Sequence, residues 1–301
     1  MRLGVCTRRF KDEPLPDTLR WAGEAGFEAV EIPCAATRGT GWHDGPALRL
    51  SALDGRARDA LGTALEGAGL AAAALGPDGD LLDADPGRAK AALEHLGRAV
   101  EAAATLGIPV VCVEVGRDPA LGLGDSIAEF ARRARPAADQ AKAAGVRLAV
   151  GNDPRPGLYA EDLPGGAAFA PELWEKLFTH LPSDAVGLAL DPAPLVWLGI
   201  DPIGALTDYS EKVFHIRARD VEVLDLRRQD CSVLRPSGGW WRYRLPGLGT
   251  IDWRRFLDRL YELAYDGAVV IDPDDPVWQG PPQKMKDGLG LARRHLVQFT
   301  P

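Results

Sequence analysis

A short stretch of alternating residues, 214–220, carries the side chains best suited to chemistry. His215, Arg217 and Arg219 recur at every second position, which predicts a strand with one polar face. The apolar residues of the opposite face are Phe214, Ile216 and Ala218. A histidine can move protons near neutral pH, and arginines bind carboxylate, phosphate and oxyanion groups. Because this face is so polar, we predict that it lines a functional cavity or is exposed to solvent.

The elements that position this strand alternate along the chain. Predicted strands span 3–6, 29–32, 71–75, 110–115, 147–150, 186–190, 213–218 and 268–271. Predicted helices span 15–25, 55–66, 87–106, 126–144, 171–181, 253–263 and 286–297, with a short turn near 202–206. Gly26, Gly69 and Gly145 each stand between a helix and a strand, where glycine supplies a left-handed cap.

This alternation predicts a (β/α)8 TIM barrel formed by a single domain, 1–301. A doubly wound open sheet is the alternative fold. It is disfavoured because no G-x-G-x-x-G motif follows the first strand.

In a barrel of this kind, the residues that follow the strands form the active site. Polar residues at these places are Thr7, Arg8, Glu31, Glu114, Asn152, Asp153, Asp191 and Asp272, besides those of the seventh strand. Asp191 and Asp272 each precede a proline, so a turn-starting role is the alternative for both. The segments 151–170 and 221–249 are rich in glycine, proline and charge, and we predict extended loops there. His43 is predicted to be a loop residue rather than a metal ligand.

The composition of the chain limits the kinds of partner and the compartment that we expect for the protein. The net charge of −8 argues against a nucleic-acid surface and gives no reason to expect attraction to an anionic membrane. The four cysteines lie far apart in sequence, and we expect them to be reduced thiols. The start of the chain lacks the apolar region of a secretory signal, and no apolar run approaches the length of a membrane span. We therefore expect a cytoplasmic protein.

Two stretches, 184–192 and 246–253, resemble the xylose isomerase-like sugar phosphate isomerase/epimerase family. The resemblance extends to 26–31, 240–245, 265–267 and 274–278, and so covers essentially the whole chain. It implies a TIM barrel that binds a divalent metal through a Glu after strand five, an Asp after strand six, a His after strand seven and a Glu after strand eight. In such an enzyme the metal orients a polyhydroxylated substrate and stabilises an enediolate.

This chain departs from the ligand set that the resemblance implies. Gly151 stands where the first Glu is expected, Arg217 where the liganding His is expected, and Asp272 where the last Glu is expected. Asp191 matches, although Pro194 replaces a His three residues further on. A guanidinium has no lone pair to donate, so we expect no metal cofactor. A divalent metal (Mn²⁺, Mg²⁺ or Zn²⁺) would need rearranged ligands, such as Glu114 or His215. We hypothesise that Arg217 instead bridges Asp191 and Asp272.

Three functions fit these residues: a metal-dependent isomerase or epimerase, a metal-independent enzyme on the same scaffold, and a non-catalytic descendant that binds a ligand or a partner subunit. We favour a small polyoxygenated substrate and a metal-independent isomerase-, epimerase- or lyase-type enzyme. The predicted catalytic residues are Asp191, His215, Arg217 and Asp272. The predicted substrate-binding residues are Glu31, Glu114, Asn152, Arg219, Asp220, Trp241, Arg242 and Arg244.

The arginine-rich segment 235–244 suggests a phosphorylated or carboxylated substrate, with plain solvation as the alternative. The endonuclease branch of the same barrel superfamily is excluded, because five histidines and a negative net charge suit neither a multi-metal site nor DNA. No sequence feature decides the oligomeric state, so a homodimer stays one of the alternatives.

Overall fold

In the part of the chain that the structure describes, eight parallel strands close into a barrel in the order β1-β10-β7-β6-β5-β4-β3-β2. The computed structural model describes residues 1–10, 13–35, 46–155, 165–231, 233 and 239–300. The barrel strands are β1 (Arg2–Cys6), β2 (Ala29–Cys34), β3 (Ala71–Pro77), β4 (Val110–Glu114), β5 (Arg147–Gly151), β6 (Val186–Leu190), β7 (Val213–Ala218) and β10 (Ala268–Ile271). The predicted TIM barrel is confirmed, strand for strand. His43 lies outside the described residues.

Helices pack around the barrel and return the chain to its amino-terminal end. They are α1 (Leu15–Glu24), α2 (Gly55–Gly67), α3 (Pro86–Leu106), α4 (Leu123–Ala144), α5 (Pro171–His180), α6 (Pro192–Trp197), α7 (Pro202–Asp208), α8 (Asp225–Cys231), α9 (Trp253–Glu262) and α10 (Pro282–Leu296). The three predicted glycine caps are confirmed, since Gly26, Gly69 and Gly145 all have positive φ. No helix in the described ranges is both long and apolar enough to cross a membrane.

The segment 221–249 is not the extended loop that its composition predicts. It contains an antiparallel pair, β8 (Asp220–Val223) and β9 (Trp241–Arg244), and the short helix α8. Val221, Trp241 and Tyr243 are buried together in a separate apolar cluster beside the barrel. Because these strands are only four residues long, their alternation is hidden among glycine and charged residues. Of the other predicted loop, 151–170, only the two ends are described.

One face assignment on β7 is also wrong. Ile216 and Ala218 join the main core between barrel and helices, as predicted, but Phe214 packs inside the barrel with Cys112 and Ala149. The cause is a register shift, because Leu188 pairs with Val213 while the next residue of β6 pairs with His215. Phe214 is skipped in the pairing and turns inward beside His215.

Candidate active site

A cavity of about 490 Å³ opens at the carboxyl-terminal ends of the barrel strands. Almost every side chain that lines it is charged. The lining residues are Arg8, Arg9, Pro77, Asp78, Gly79, Asp80, Glu114, Asp153, Arg155, Arg217, Arg219, Asp272 and Asp274. Six carboxylates thus face five guanidinium groups, which makes this a site for a polar ligand.

Arg217 lies at the centre of the site, near the end of β7, and crosses the barrel interior. Its guanidinium donates to both oxygens of Glu31, with Nη2 3.0 Å from Oε1 and Nε 3.3 Å from Oε2. A further bond runs from its Nη1 to Glu114 Oε1. The hypothesis that Arg217 bridges Asp191 and Asp272 is therefore wrong. Arg217 is held by acids from β2 and β4, on the far side of the barrel.

Arg219 lies just beyond β7 and pairs with Asp191, which was one of the two partners expected for Arg217. Its Nε donates to Asp191 Oδ2, and its Nη2 lies 2.7 Å from Asp153 Oδ2. A third carboxylate, Asp274, approaches Nη1 at 3.5 Å, and the guanidinium carbon lies 4.0 Å from the centre of the Tyr243 ring. Arg219 thereby joins the ends of β5, β6 and β10 to the β8–β9 pair.

Two of the carboxylates around Arg219, those of Asp191 and Asp153, do not ionise equally. Burial raises the pKa of Asp191 to about 7, although Arg219 pulls it down. Burial also opposes ionisation of Asp153, but there Arg219 prevails and lowers its pKa. The two acids therefore titrate in different ranges. Asp191 also accepts a bond from the Ala193 N–H, 2.9 Å away, and so caps α6.

The Glu114 carboxylate fills the space beside Gly151. A Cβ built on Gly151 would lie 2.4 Å from Glu114 Oε1 and 2.7 Å from its carboxyl carbon. The acid that the family resemblance expects on strand five is absent, and an acid from β4 occupies its place. This exchange places a carboxylate at that point and gives Arg217 its second partner.

Asp272, which follows β10, is, like Asp78, a cavity acid without a fixed partner among the described residues. No hydrogen bond or ion pair reaches its side chain within the described residues, and burial raises its pKa above the usual value. Arg219, Arg217 and Arg8 are near enough to oppose that rise. Arg8 likewise has no ion pair among the described residues, although it lines the same cavity. Asp272 and Arg8 thus give a ligand in this cavity a free acid and a free guanidinium.

Two predicted residues lie behind this cavity and fix its walls. His215 lies below Arg217, with Nε2 2.9 Å from Glu31 Oε2, and is buried. Burial opposes ionisation of Glu31, but Arg217 and the bond from His215 hold its pKa well below the usual range. Asn152 uses its side-chain amide to bond the backbone of Asp191 in both directions, at 2.9 and 2.7 Å. Both residues position others and do not line the cavity.

The remaining predicted residues belong to the β8–β9 pair. Arg242 and Arg244 pair with Glu222, at 2.6 and 2.8 Å, and Arg244 also pairs with Asp275. These contacts occupy the arginines that suggested an anionic substrate. Trp241 is buried and stacked on Trp197, with ring centres 4.3 Å apart. None of the three lines the cavity.

Asp220 is enclosed by protein donors. Its carboxylate accepts bonds from the N–H groups of Val221, Gly247 and Ile251 and from the Trp253 indole, at 2.8 to 3.1 Å. It holds the β8–β9 pair against α9. Its position and its filled acceptors leave it away from any ligand in the cavity.

Several cavity residues were not assigned a role from the sequence. Arg8 and Asp153 were visible as strand-end residues, whereas Arg9 and Asp274 stand further along their loops. Arg9 Nη2 lies 2.9 Å from Asp274 Oδ1. The available signal was the charge density directly after β1 and β10, at Arg8-Arg9 and at Asp272-Pro-Asp274-Asp275.

The residues present do not offer a divalent metal the donor set that the resemblance implies. Gly151 has no side chain, and Arg217 presents a cation. Asp191 is bound through both oxygens, one to Arg219 and one to Ala193. Two carboxylates, Glu114 and Asp272, are left, and Arg217 contacts the first of them.

A different group of metal-type donors lies deeper in the barrel. Among the described residues, donor atoms of Glu31, Cys112 and His215 lie within 4.8 Å of one another. The oxygens of Glu31 are bonded to Arg217 and His215, and burial raises the pKa of the Cys112 thiol well above its usual value. With its acid occupied and its thiol protonated, this group is a poor metal site.

Comparisons with known proteins agree with the geometry of the barrel. Residues 19–295 match the family described as xylose isomerase-like TIM barrel. The uncharacterized protein YfiH of Bacillus subtilis (strain 168) is 24% identical over 309 residues, covering 91% of this chain and 93% of that protein. An inosose dehydratase of Lacticaseibacillus casei is 27% identical over 110 residues, 36% of this chain and 37% of that enzyme. The structure of a D-psicose 3-epimerase with D-tagatose, from Clostridium cellulolyticum H10, superimposes with a TM-score of 0.70 at 15% identity, covering 99% of both chains.

Proposed function

This chain belongs to the xylose isomerase-like TIM barrel family, and from that premise we propose that it is a metal-independent isomerase- or epimerase-type enzyme. Its substrate is a small polyoxygenated carbonyl compound bound in the carboxyl-terminal cavity. The observation that carries the proposal is Arg217, a buried cation fixed by Glu31 and Glu114 at the family's histidine position. A fixed guanidinium supplies positive charge where the family uses a metal.

The substrate class follows from chemistry and from charge. The names of two relatives contain D-psicose and inosose, both polyhydroxylated ketones. In this chain the cavity has one more carboxylate than guanidinium. Among the described residues, the only cavity guanidinium outside an ion pair is Arg8, since Arg155 pairs with Asp80 at 3.9 Å. This balance favours an uncharged substrate whose hydroxyl groups donate to carboxylates.

The proposed reaction is a proton transfer next to the substrate carbonyl. Asp272 takes a proton from the carbon beside the carbonyl, and the electron pair of that C–H bond moves to give an enediolate. Arg8 and Arg217 stabilise the oxygen that becomes negative. Return of the proton to the former carbonyl carbon, with the hydroxyl proton passing to the former carbonyl oxygen, moves the carbonyl. Inversion of the first carbon requires a proton delivered to the opposite face of the enediolate. A raised pKa suits Asp272 to this work, because a base is most effective near the working pH.

The experiment is solvent-deuterium exchange. The protein is incubated in D₂O with a panel of uncharged ketoses and inososes, with and without EDTA, and NMR follows loss of the substrate C–H signals. We expect exchange that EDTA leaves unchanged and that Asp272→Asn reduces by about 10²-fold or more. The matched control is Asp59→Asn, which alters an exposed acid on α2.

Two outcomes would contradict this function. Exchange that EDTA abolishes would show a metal-dependent enzyme with rearranged ligands. Saturable binding of a panel member without exchange would show a ligand-binding descendant. The ligand-binding descendant is the second candidate function, and one observation favours it. The hydrogen-bond donors of Arg217 and Arg219 are largely taken by protein acids.

A further inference from the structure

A second cavity opens at the opposite, amino-terminal end of the barrel. Its volume is about 680 Å³, larger than that of the cavity at the carboxyl-terminal end. Small side chains create it, because Ala29, Ala73 and Ala268 stand on β2, β3 and β10 around the barrel interior. The first three residues of β3 are partly exposed, which shows that the cavity is open to solvent. A space of this size is typical of small-molecule sites.

The mouth of this cavity carries cations without counterions. Arg2 and Arg147 both line it, and neither has a carboxylate within ion-pair distance among the described residues. Arg217 and Arg219, by contrast, are each paired with several acids. Asp266 also lies at the mouth, so the charge there sums to one positive.

The walls below the mouth suit an apolar body. The guanidinium carbon of Arg147 lies 4.9 Å from the centre of the Phe214 ring, and both residues line the cavity. Phe214 is the residue that the register shift turns inward, so its ring packs among apolar residues of the barrel interior rather than against the helix layer. An aromatic ring beneath a free guanidinium, with methyl groups around it, fits a ligand that is apolar at one end and anionic at the other.

We propose that this amino-terminal cavity is a binding site for a small monocarboxylate with an apolar or aromatic body. The carboxylate pairs with Arg147, in reach of Arg2, and the body packs on Phe214 and the alanines. The single net positive charge matches one carboxylate, and the apolar walls disfavour a fully hydroxylated ligand. This site is separate from the proposed catalytic cavity and does not depend on the reaction there.

The site also touches the barrel's ionic interior. His215 lines the inner end of the cavity, and its Nε2 bonds Glu31, which in turn bonds Arg217 in the other cavity. Two hydrogen-bonded contacts therefore separate the two cavities.

The test uses three probes of nearly the same shape: phenylacetate, phenylacetamide and phenethylammonium. Thermal unfolding and titration calorimetry are performed at constant ionic strength. We expect phenylacetate alone to bind saturably and to raise the Tm. Arg147→Gln should weaken that binding by about tenfold or more, as the loss of a charge-assisted bond requires. Arg56→Gln, at an exposed position on α2, should leave it unchanged.

A cavity-filling variant provides an independent check. Ala73→Leu should abolish phenylacetate binding, provided that circular dichroism and the Tm show a folded protein. The proposal is overturned if no probe binds saturably, if phenylacetamide or phenethylammonium binds as tightly as phenylacetate, or if Arg147→Gln binds phenylacetate like the wild type.

Discussion

The space beside Gly151 on β5 is filled by the carboxylate of Glu114, which belongs to the neighbouring strand β4. The Glu114 side chain reaches across from β4 and occupies the volume that any side chain at 151 would need. Glu114 is also a partner of Arg217, so it is not free to move aside. A small change at 151 therefore acts on the charge of the cavity.

We expect Gly151→Ala to destabilise the protein by roughly 1–3 kcal/mol, because the new Cβ overlaps the Glu114 carboxylate. Urea unfolding measures the change. In a double-mutant cycle with Glu114→Ala, the alanine at 151 should cost little once the carboxylate is gone. Equal costs of Gly151→Ala in both backgrounds would show that the two side chains do not compete for this space.

The raised pKa of Asp191 gives a pH dependence with a definite sign. The folded state holds the proton up to about pH 7, whereas the unfolded chain releases it near 3.8. Stability from this group is full below the lower value and is lost as pH rises through the upper one. Between pH 5 and 8 the wild type should therefore lose roughly 3 kcal/mol relative to Asp191→Asn, because about two pH units lie below the folded pKa and each contributes about 1.4 kcal/mol. Urea unfolding of both proteins at both pH values checks this, and parallel profiles would contradict it.

The sequence identifies the charged residues of the site but not their pairing. Arg217 and Arg219 share one predicted face, and both do enter ionic networks. Successive residues on one face of a strand stand about 6.5 Å apart along it, so the two arginines meet different layers of acids. Arg217 reaches the layer of Glu31, and Arg219 reaches that of Asp191. The height of each side chain along the barrel axis depends on the tilt and register of the strands, which residue types do not encode.

Among the elements, the β8–β9 pair lies beside the site and contacts it through Tyr243 and Arg219. It is anchored through Asp220, which neutral donors surround. Burial raises the pKa of this acid, while the bonds from Trp253 and the backbone lower it. Tyr243 of β9 in turn covers the guanidinium of Arg219.

We expect Asp220→Ala to cost about 2–4 kcal/mol, because it leaves several buried donors without an acceptor. Hydrogen exchange should speed up in β8, β9 and the loop to α9 before it does so in the barrel strands. Asp225→Ala on the exposed helix α8 is the control. Uniform acceleration across the barrel would show that Asp220 supports the whole fold rather than this pair.

The barrel strands were predictable because each is a short apolar run between a helix and a polar loop. The β8–β9 pair was not, since Trp241 and Tyr243 pack on one another and on Trp197 rather than on the barrel. The inward orientation of the Phe214 side chain could not be predicted either. A register shift depends on the neighbouring strand, and the sequence of β7 alone alternates regularly.

At the scale of the whole molecule, the barrel encloses a column of charge. Arg217, Glu31 and His215 follow one another down its axis, within a wall of apolar residues. Buried ions of this kind are stable only when each has its partners. The column therefore balances its charges among its own side chains.

We predict that metal removal leaves the fold unaffected. Dialysis against EDTA should shift the Tm by less than about 1 °C, because no ligand is lost from the folded state. Added Mn²⁺ should likewise have no saturable effect on the wild type. A rise of several degrees with Mn²⁺, or stoichiometric metal in the purified protein, would show that the carboxylates near Arg217 bind a cation after all.

The exchange between Gly151 and Glu114 also restricts how such a site can arise by single mutations. A long acid at 151 and the present Glu114 carboxylate cannot occupy the same volume, so a glutamate at 151 requires the Glu114 side chain to leave its present position. Restoring glutamate at 151 alone would meet an occupied space. The residues at 114 and 151 therefore have to be changed together if an acid is to be moved from β4 to β5.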